Sequence, residues 1–308
     1  MIRRLKLTYL IYNFFSKRKL SHNVSLYETL KLNKFYFSTI SSKDFAKIDP
    51  SVLTKTHETK KITDTELFKK LPIEDQQSLL NFDSEGYSVL KGYVKKEIVE
   101  KINEEIDRLL HEKKIKFRYQ NKIMFAYKKI DSLRKIAAEE NLLELLSSLL
   151  SDNAVLFQSI NFINGSEQET HSDSIHMTTF PLGGLLGVWL ALEDIDFDNG
   201  PLHYYPGSHM LPYYLNKDYD NEGNFVLLGD KDYSEYEKMI RGKIEEFSLE
   251  KRTFHAKAGD ILIWHANLFH GGEEHINKQK SRKSVVFHYY AENRICYHEI
   301  TQRPALFD

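Results

Sequence analysis

Between residues 95 and 111 the apolar positions Ile98, Val99, Ile102, Ile106, Leu109 and Leu110 recur three and four apart. That spacing puts them on one face of a helix and predicts a helix with its other face in water. A second stripe, Leu133, Ile136, Ala137, Leu142, Leu145, Leu146 and Leu149, predicts more helix. Ahead of both, residues 82–90 end in an alternating stretch that suits a strand. After Asn153 the texture changes to short β-type runs at 154–162, 185–192, 200–205, 260–265 and 284–290. Turn clusters such as Asn164-Gly165-Ser166, Asp198-Asn199-Gly200 and Pro206-Gly207-Ser208 separate them. Helices followed by many short strands predict an α+β chain built around a β-sandwich or barrel. Residues 1–78 form a more polar extension, in which 41–65 suit a loop or linker, and 79–308 form the main domain. Within it, about 210–254 is an insertion holding Tyr213, Tyr214, Tyr219, Tyr233 and Tyr236 among many charges. A long insertion of this kind is often a lid.

Composition narrows the class. Of 308 residues, 41% are apolar, 28% charged and 13% aromatic, values of an ordered globular chain. Lys and Arg total 43 against 44 Asp and Glu, so the chain lacks the basic excess of a general nucleic-acid binder. Its single cysteine, Cys296, excludes an internal disulfide and fits a reducing, cytoplasmic setting. No run approaches the roughly 18 apolar residues needed to span a bilayer.

The first fifty residues hold ten Lys/Arg and three Asp/Glu, a local surplus of seven positive charges. Arg3, Arg4 and Lys6 precede the run Leu7 to Phe15, and Lys17-Arg18-Lys19 follow it. The pattern has the outline of a secretory signal, but no small-residue cleavage site follows and Asn13 interrupts the apolar run. It predicts a helix packed on the domain with solvated basic residues, with contact at a membrane surface as the alternative.

Thirteen histidines matter through their placement. His171 and Asp173 are two apart, so on an extended segment they face the same side. His270, in the run Trp264 to Gly272, is the best third partner. Two imidazoles and one carboxylate around one octahedral metal leave three positions open, the arrangement of non-haem Fe(II) oxygenases. A His-x-Asp pair alone is weak, because it arises readily by chance. Twelve residues after His270, Arg282 and Ser284 share one face of a predicted strand, where a guanidinium and a hydroxyl can take a carboxylate.

Four segments, in order, resemble the phytanoyl-CoA dioxygenase family of Fe(II)/2-oxoglutarate oxygenases. They are residues 82–107, His171-Ser172-Asp173, residues 188–209 (with Asn199-Gly200-Pro201-Leu202 and Pro206-Gly207-Ser208-His209), and Gly259-Asp260 through His270 to Arg282. The resemblance spans roughly residues 80–292. It implies a double-stranded β-helix (jelly-roll, cupin-like) core flanked by N-terminal helices. It implies His171, Asp173 and His270 as iron ligands, and Arg282 with Ser284 as the seat of the distal 2-oxoglutarate carboxylate. Trp189 matches a position lining the co-substrate pocket. The gap from His270 to Arg282 is slightly longer than the family pattern, which leaves Lys283 as an alternative anchor. Asp173 favours hydroxylation over halogenation, because related halogenases replace that carboxylate.

Around this set, Gln158 and Asn161 are polar residues of the preceding strand that could face the pocket, Gln158 as a co-substrate contact. His176 is a candidate substrate contact. His209 suits a turn-stabilising role, and His265 and His288 suit buried walls. The expected reaction uses Fe(II), 2-oxoglutarate and O₂ to hydroxylate an aliphatic C–H of a small-molecule or conjugated substrate. Desaturation, cyclisation or epimerisation on the same iron, a non-catalytic jelly-roll binding protein and a zinc hydrolase are the alternatives.

Overall fold

The computed structural model describes residues 4–53, 58–119 and 121–307. Arg3, part of the basic N-terminal cluster, lies outside the described residues. Twelve strands are found among the described residues: β1 (Tyr87–Leu90), β2 (Lys122–Met124), β3 (Ala154–Phe162), β4 (Thr178–Phe180), β5 (Leu185–Ala191), β6 (Leu202–Tyr204), β7 (Arg252–Phe254), β8 (Ile261–His265), β9 (His270–Gly272), β10 (Ser284–Ala291), β11 (Ile295–His298) and β12 (Arg303–Pro304). A six-stranded sheet runs β1-β8-β5-β10-β3-β2, and two three-stranded sheets run β7-β6-β9 and β12-β11-β4. All the pairings are antiparallel. This is a double-stranded β-helix core, as the motifs implied.

Strand alternation divides the large sheet into two chemically different faces. Leu186, Val188 and Leu190 of β5, Ile261 and Ile263 of β8, and Val285, Phe287 and Tyr289 of β10 pack outward. There they meet Val99, Ile102, Ile106 and Leu109 of the helix Lys96–His111, and Leu142, Leu145 and Leu146 of the helix Glu140–Leu150. The opposite set, Trp189, Leu262, Trp264 and Val286, faces inward with Phe162. Because both faces are covered, β5 and β10 are buried along their whole length. This is why their sequences read as continuous apolar runs instead of alternating ones.

The second leucine-rich stripe is split between Asp131–Ala137 and Glu140–Leu150, because Glu139 caps the latter by accepting from Asn141 N and Leu142 N. Residues 82–85 form a helical turn, and the strand begins only at Tyr87. Gly86, at φ +79°, supplies the left-handed residue between them.

The N-terminal segment contributes real core. Tyr27, Leu30, Ile40 and Phe45 are buried against Phe180 of β4 and Ile295 and Tyr297 of β11. The helix Lys6–Phe15 exists as the pattern predicts, with Leu7, Ile11, Phe14 and Phe15 exposed. Among the described residues no helix is long and apolar enough to cross a membrane. The insertion holds the helix Tyr233–Glu246, whose Tyr236 and Ile240 pack on Ile175 and Phe269.

Leu145 is fully buried between helix and sheet. Leu145→Ala should lower unfolding stability by about 2–5 kcal/mol, read as a shift of the urea midpoint at unchanged slope.

Candidate metal centre

The two histidines meet through backbone pairing. His171 and His270 form an isolated antiparallel bridge, each N–H donating to the other's carbonyl at 2.9 Å. The bridge sets their rings side by side, 4.6 Å between centroids. Ser172 is extended (φ −111°, ψ 146°), so Asp173 projects to the same side as His171. Asp173 Oδ1 lies 3.9 Å from His171 Nε2 and 3.7 Å from His270 Nε2. One ligand atom from each of the three residues falls within 4.8 Å of the others, and all three residues are buried.

The neighbouring hydrogen bonds orient these groups. His171 Nδ1 meets Glu169 O at 2.8 Å and His270 Nδ1 meets Leu268 O at 2.9 Å. A carbonyl can only accept, so Nδ1 carries the proton in both rings and the Nε2 lone pairs face the shared point. Gln168 Nε2 lies 3.1 Å from His171 Nε2, as a donor to that lone pair would. The second carboxylate oxygen, Asp173 Oδ2, accepts from Trp264 Nε1 at 2.8 Å and has His288 Nε2 at 3.6 Å. One oxygen is thus held by the wall while the other faces the imidazoles.

Burial alone would raise the Asp173 carboxyl. The nearby His270, His288 and His171 reverse that and hold it below the usual carboxylate range. Burial, reinforced by His270, pushes His171 well below the usual imidazole range, so it stays neutral. A neutral His171 imidazole and an ionised carboxylate, with His270 Nε2 facing the same point, are donors that suit a divalent cation. The residues present therefore fit a metal.

Trp264 reaches Asp173 because its cross-strand partner is Gly187. A Cβ at Gly187 would lie 2.4–2.7 Å from the indole atoms Cε2, Nε1 and Cζ2.

Beside the triad lies a cavity of about 840 Å³. Arg282, two residues ahead of β10, is fully buried in its wall, and burial lowers its guanidinium to about 10, leaving it charged at neutral pH. Its Nε donates to Gly200 O at 2.9 Å and its Nη1 to Ser284 Oγ at 2.8 Å. Nη2 has no partner, nor does Nε1 of Trp189, whose ring lies 5.3 Å from the guanidinium. Two buried, unsatisfied donors side by side are a fitting seat for a carboxylate.

The remaining residues sort clearly. Gln158 lines the cavity, its amide near Met177 Sδ (3.0 Å) and His288 Nδ1 (3.4 Å). Asn161, an odd number of positions away, does not line it. Lys283 also turns away and pairs with Asp107 at 3.0 Å, which removes it from the position of alternative anchor. His176 lines the cavity, and its Nε2 meets Tyr233 Oη of the insertion at 2.9 Å. Burial, aided by His298, pushes His176 down to about 3. His209 Nε2 meets Asp83 O at 3.1 Å and His265 lies against His209, both outside the cavity lining. Sequence reasoning gave no part to Trp264, Lys122, Gln168 or Arg303, all of which line the cavity. Trp264 carried a signal, sitting six residues before His270 on a strand. Lys122, on the edge strand β2 within a charged stretch, carried none.

Comparison with known proteins agrees with this geometry. The family model described as phytanoyl-CoA dioxygenase matches residues 82–284. A zebrafish (Danio rerio) protein, "Phytanoyl-CoA dioxygenase domain-containing protein 1", is 39% identical over 67 residues, 22% of each chain. The rat (Rattus norvegicus) protein of that name is 24% identical over 165 residues, covering 53% of this chain and 52% of its own. The matched stretches thus span from under a quarter to about half of these relatives. Among solved structures, the non-haem α-ketoglutarate-dependent carbocyclase SnoK from nogalamycin biosynthesis superposes with TM-score 0.60 at 15% identity, over 74% of this chain and 87% of that one. EctD from S. alaskensis, solved with 2-oxoglutarate and 5-hydroxyectoine, gives 0.55 at 19% identity, over 77% and 82%. These two likenesses are of fold.

Two outcomes are expected. Gly187→Ala should displace the Trp264 indole, seen as altered tryptophan emission, and weaken Mn(II) binding measured by electron paramagnetic resonance by about tenfold or more. Secondly, burial lowers His265 from 6.5 to about 4, with a smaller contribution from His209. The folded state therefore disfavours protonation, and the stability present above pH 6.5 is lost as pH falls toward about 4. The urea midpoint should drop across that window, and less steeply in His265→Asn, which keeps an acceptor for Asn267 N–H.

Proposed function

The chain belongs to the phytanoyl-CoA dioxygenase family, and from that premise we propose that it is an Fe(II)- and 2-oxoglutarate-dependent dioxygenase that hydroxylates an aliphatic C–H of a small-molecule or conjugated substrate. The observation that carries the proposal is the convergence of His171, Asp173 and His270 beside the two unsatisfied donors of Arg282 and Trp189. When bound, ferrous iron and 2-oxoglutarate supply O₂ activation, one oxygen atom going to the substrate and the other leaving in succinate, with release of CO₂.

The chain's own residues do the positioning. His171 Nε2, Asp173 Oδ1 and His270 Nε2 would hold the iron on one side. Trp264 and His288 fix the other carboxylate oxygen and prevent Asp173 from turning away. Arg282 Nη2 and Trp189 Nε1 would receive the distal carboxylate, with Ser284 and Gly200 O aiming the guanidinium. Gln158 and His176 are polar groups of the cavity lining that would meet co-substrate and substrate respectively. Phe162, Ile160 and Val286 of the cavity wall exclude water, which would compete for the metal and quench reactive species.

A cytoplasmic setting is part of this proposal and rests on the lone, buried Cys296. Membrane-surface contact remains a lesser proposal, supported by the exposed Leu7, Ile11, Phe14 and Phe15 beside Lys17, Arg18 and Lys19.

Anaerobic titration with Fe(II) and then 2-oxoglutarate tests the reading. A weak visible band from the chelated 2-oxo acid is expected in the wild type. Asp173→Ala should abolish it, and Arg282→Met should raise the 2-oxoglutarate concentration needed by about 10- to 100-fold. An unchanged band in Asp173→Ala would sink the ligand assignment. Product mass separates the alternatives, a hydroxylase adding one oxygen and a desaturase removing two hydrogens.

A further inference from the structure

The far end of the cavity holds a cation that the proposed chemistry leaves unused. Arg303, on β12, lines the same cavity as the triad. Its guanidinium lies 5.7 Å from the Tyr9 ring and 4.8 Å from the Tyr12 ring, both on the helix Lys6–Phe15. The buried Nε has no hydrogen-bond partner, and among the described residues no carboxylate pairs with the guanidinium. The two rings lie against the group without satisfying its N–H donors.

The path from the triad to Arg303 is continuous. The His171 and His176 rings are 6.0 Å apart, His176 and His298 are 5.3 Å apart, and His298 is the cross-strand partner of Arg303. Apolar side chains such as Phe157, Met177 and Tyr290 line the same cavity. Its charged lining consists of Lys122, Asp173, Arg282 and Arg303. Asp173, the one acid, is committed to the metal, and Arg282 to the co-substrate. Lys122 sits over the Phe162 ring (5.9 Å) and near Gln168 (3.5 Å), which are at the triad end. Arg303 is left at the other end with nothing to neutralise it.

We propose that the substrate is an amphipathic organic anion whose oxyanion group, carboxylate or phosphate, is bound by Arg303 while its apolar body runs along Phe157, Met177 and Tyr290 to the metal. This deepens the oxygenase reading and rests on it for the identity of the metal end. The N-terminal helix then belongs to the substrate site, because Tyr9 and Tyr12 lie against the anchoring group.

The chain's only two tryptophans, Trp189 and Trp264, both line this cavity, so their emission reports occupancy without turnover. The test uses protein loaded anaerobically with Fe(II) and excess 2-oxoglutarate, so that Arg282 is engaged. The probes are 6-phenylhexanoate, its methyl ester and 6-phenylhexyl phosphate. At least one anion should bind about tenfold or more tightly than the ester, and which one does identifies the oxyanion. Arg303→Met should erase that preference and leave ester binding and the iron–oxoglutarate band unchanged, while Arg303→Lys should keep part of it. Equal binding of ester and anions, a preference that survives Arg303→Met, or no binding of any probe at millimolar concentration would each overturn the proposal. Should the band be missing from the wild type while the Arg303-dependent preference persists, the oxygenase reading fails and the anion site stands.

Discussion

A carboxylate taken out of water is the constraint around which this molecule is arranged. Asp173 is almost wholly buried, and an isolated buried carboxylate would take up a proton. The nearby His270 and His288 favour its charged form, and its two oxygens have separate tasks. Oδ2 accepts from the Trp264 indole, and Oδ1 faces the two imidazoles. Each of those supports depends on something further out. The indole reaches inward because Gly187 has no side chain, and the imidazoles converge because their backbones are bridged. A strained or half-satisfied version of the site would be worse than an apolar core.

The barrel supplies that arrangement through simple alternation. On β5, β8 and β10 every second residue belongs to the helix-facing core and the others face inward, among them Trp189, Trp264, Val286 and His288 of the cavity wall. Slipping one strand by a single residue would send Trp189, Trp264 or His288 into the leucine-rich layer. The helix-facing layer therefore fixes register, and register in turn fixes the site. Leu142, Leu145 and Leu146 are remote from the metal yet help decide where the inward side chains point.

How much of this the sequence discloses follows from the range of each interaction. Helical stripes are local, and those at 95–111 and 133–149 appear where the pattern puts them, interrupted where Glu139 caps the second helix. The strands are legible through β-branched and aromatic runs bounded by turns, and β3 matches residue for residue. His171, Asp173, His270 and Arg282 are legible because motif spacing stands in for spatial proximity. Lys283 shows the limit of that method. It differs from Arg282 by one position, but Lys283 turns to Asp107 while Arg282 turns into the cavity wall, and only the packing ahead of β10 decides which residue looks inward. Asn161 and Gln158 divide in the same way. The polar look of the first 78 residues concealed buried Tyr27, Leu30, Ile40 and Phe45, since short helices docked on a barrel show too few turns for a clear period.

That concealment has a functional side. The stretch matching the family, residues 82–284, contains the whole candidate metal and co-substrate set. Tyr9, Tyr12, His298 and Arg303 all lie outside it, on the two ends of the chain, and the fold brings those ends together over the far part of the cavity. In the proposed reading, the chemical step and the selection of its substrate are thus built from different parts of the sequence. Iron and 2-oxoglutarate would impose fixed distances, and the residues proposed to serve them sit on, or bridged to and beside, paired strands of the barrel. A substrate tail imposes looser demands, and a terminal helix and a two-residue edge strand can meet them and change without disturbing Asp173.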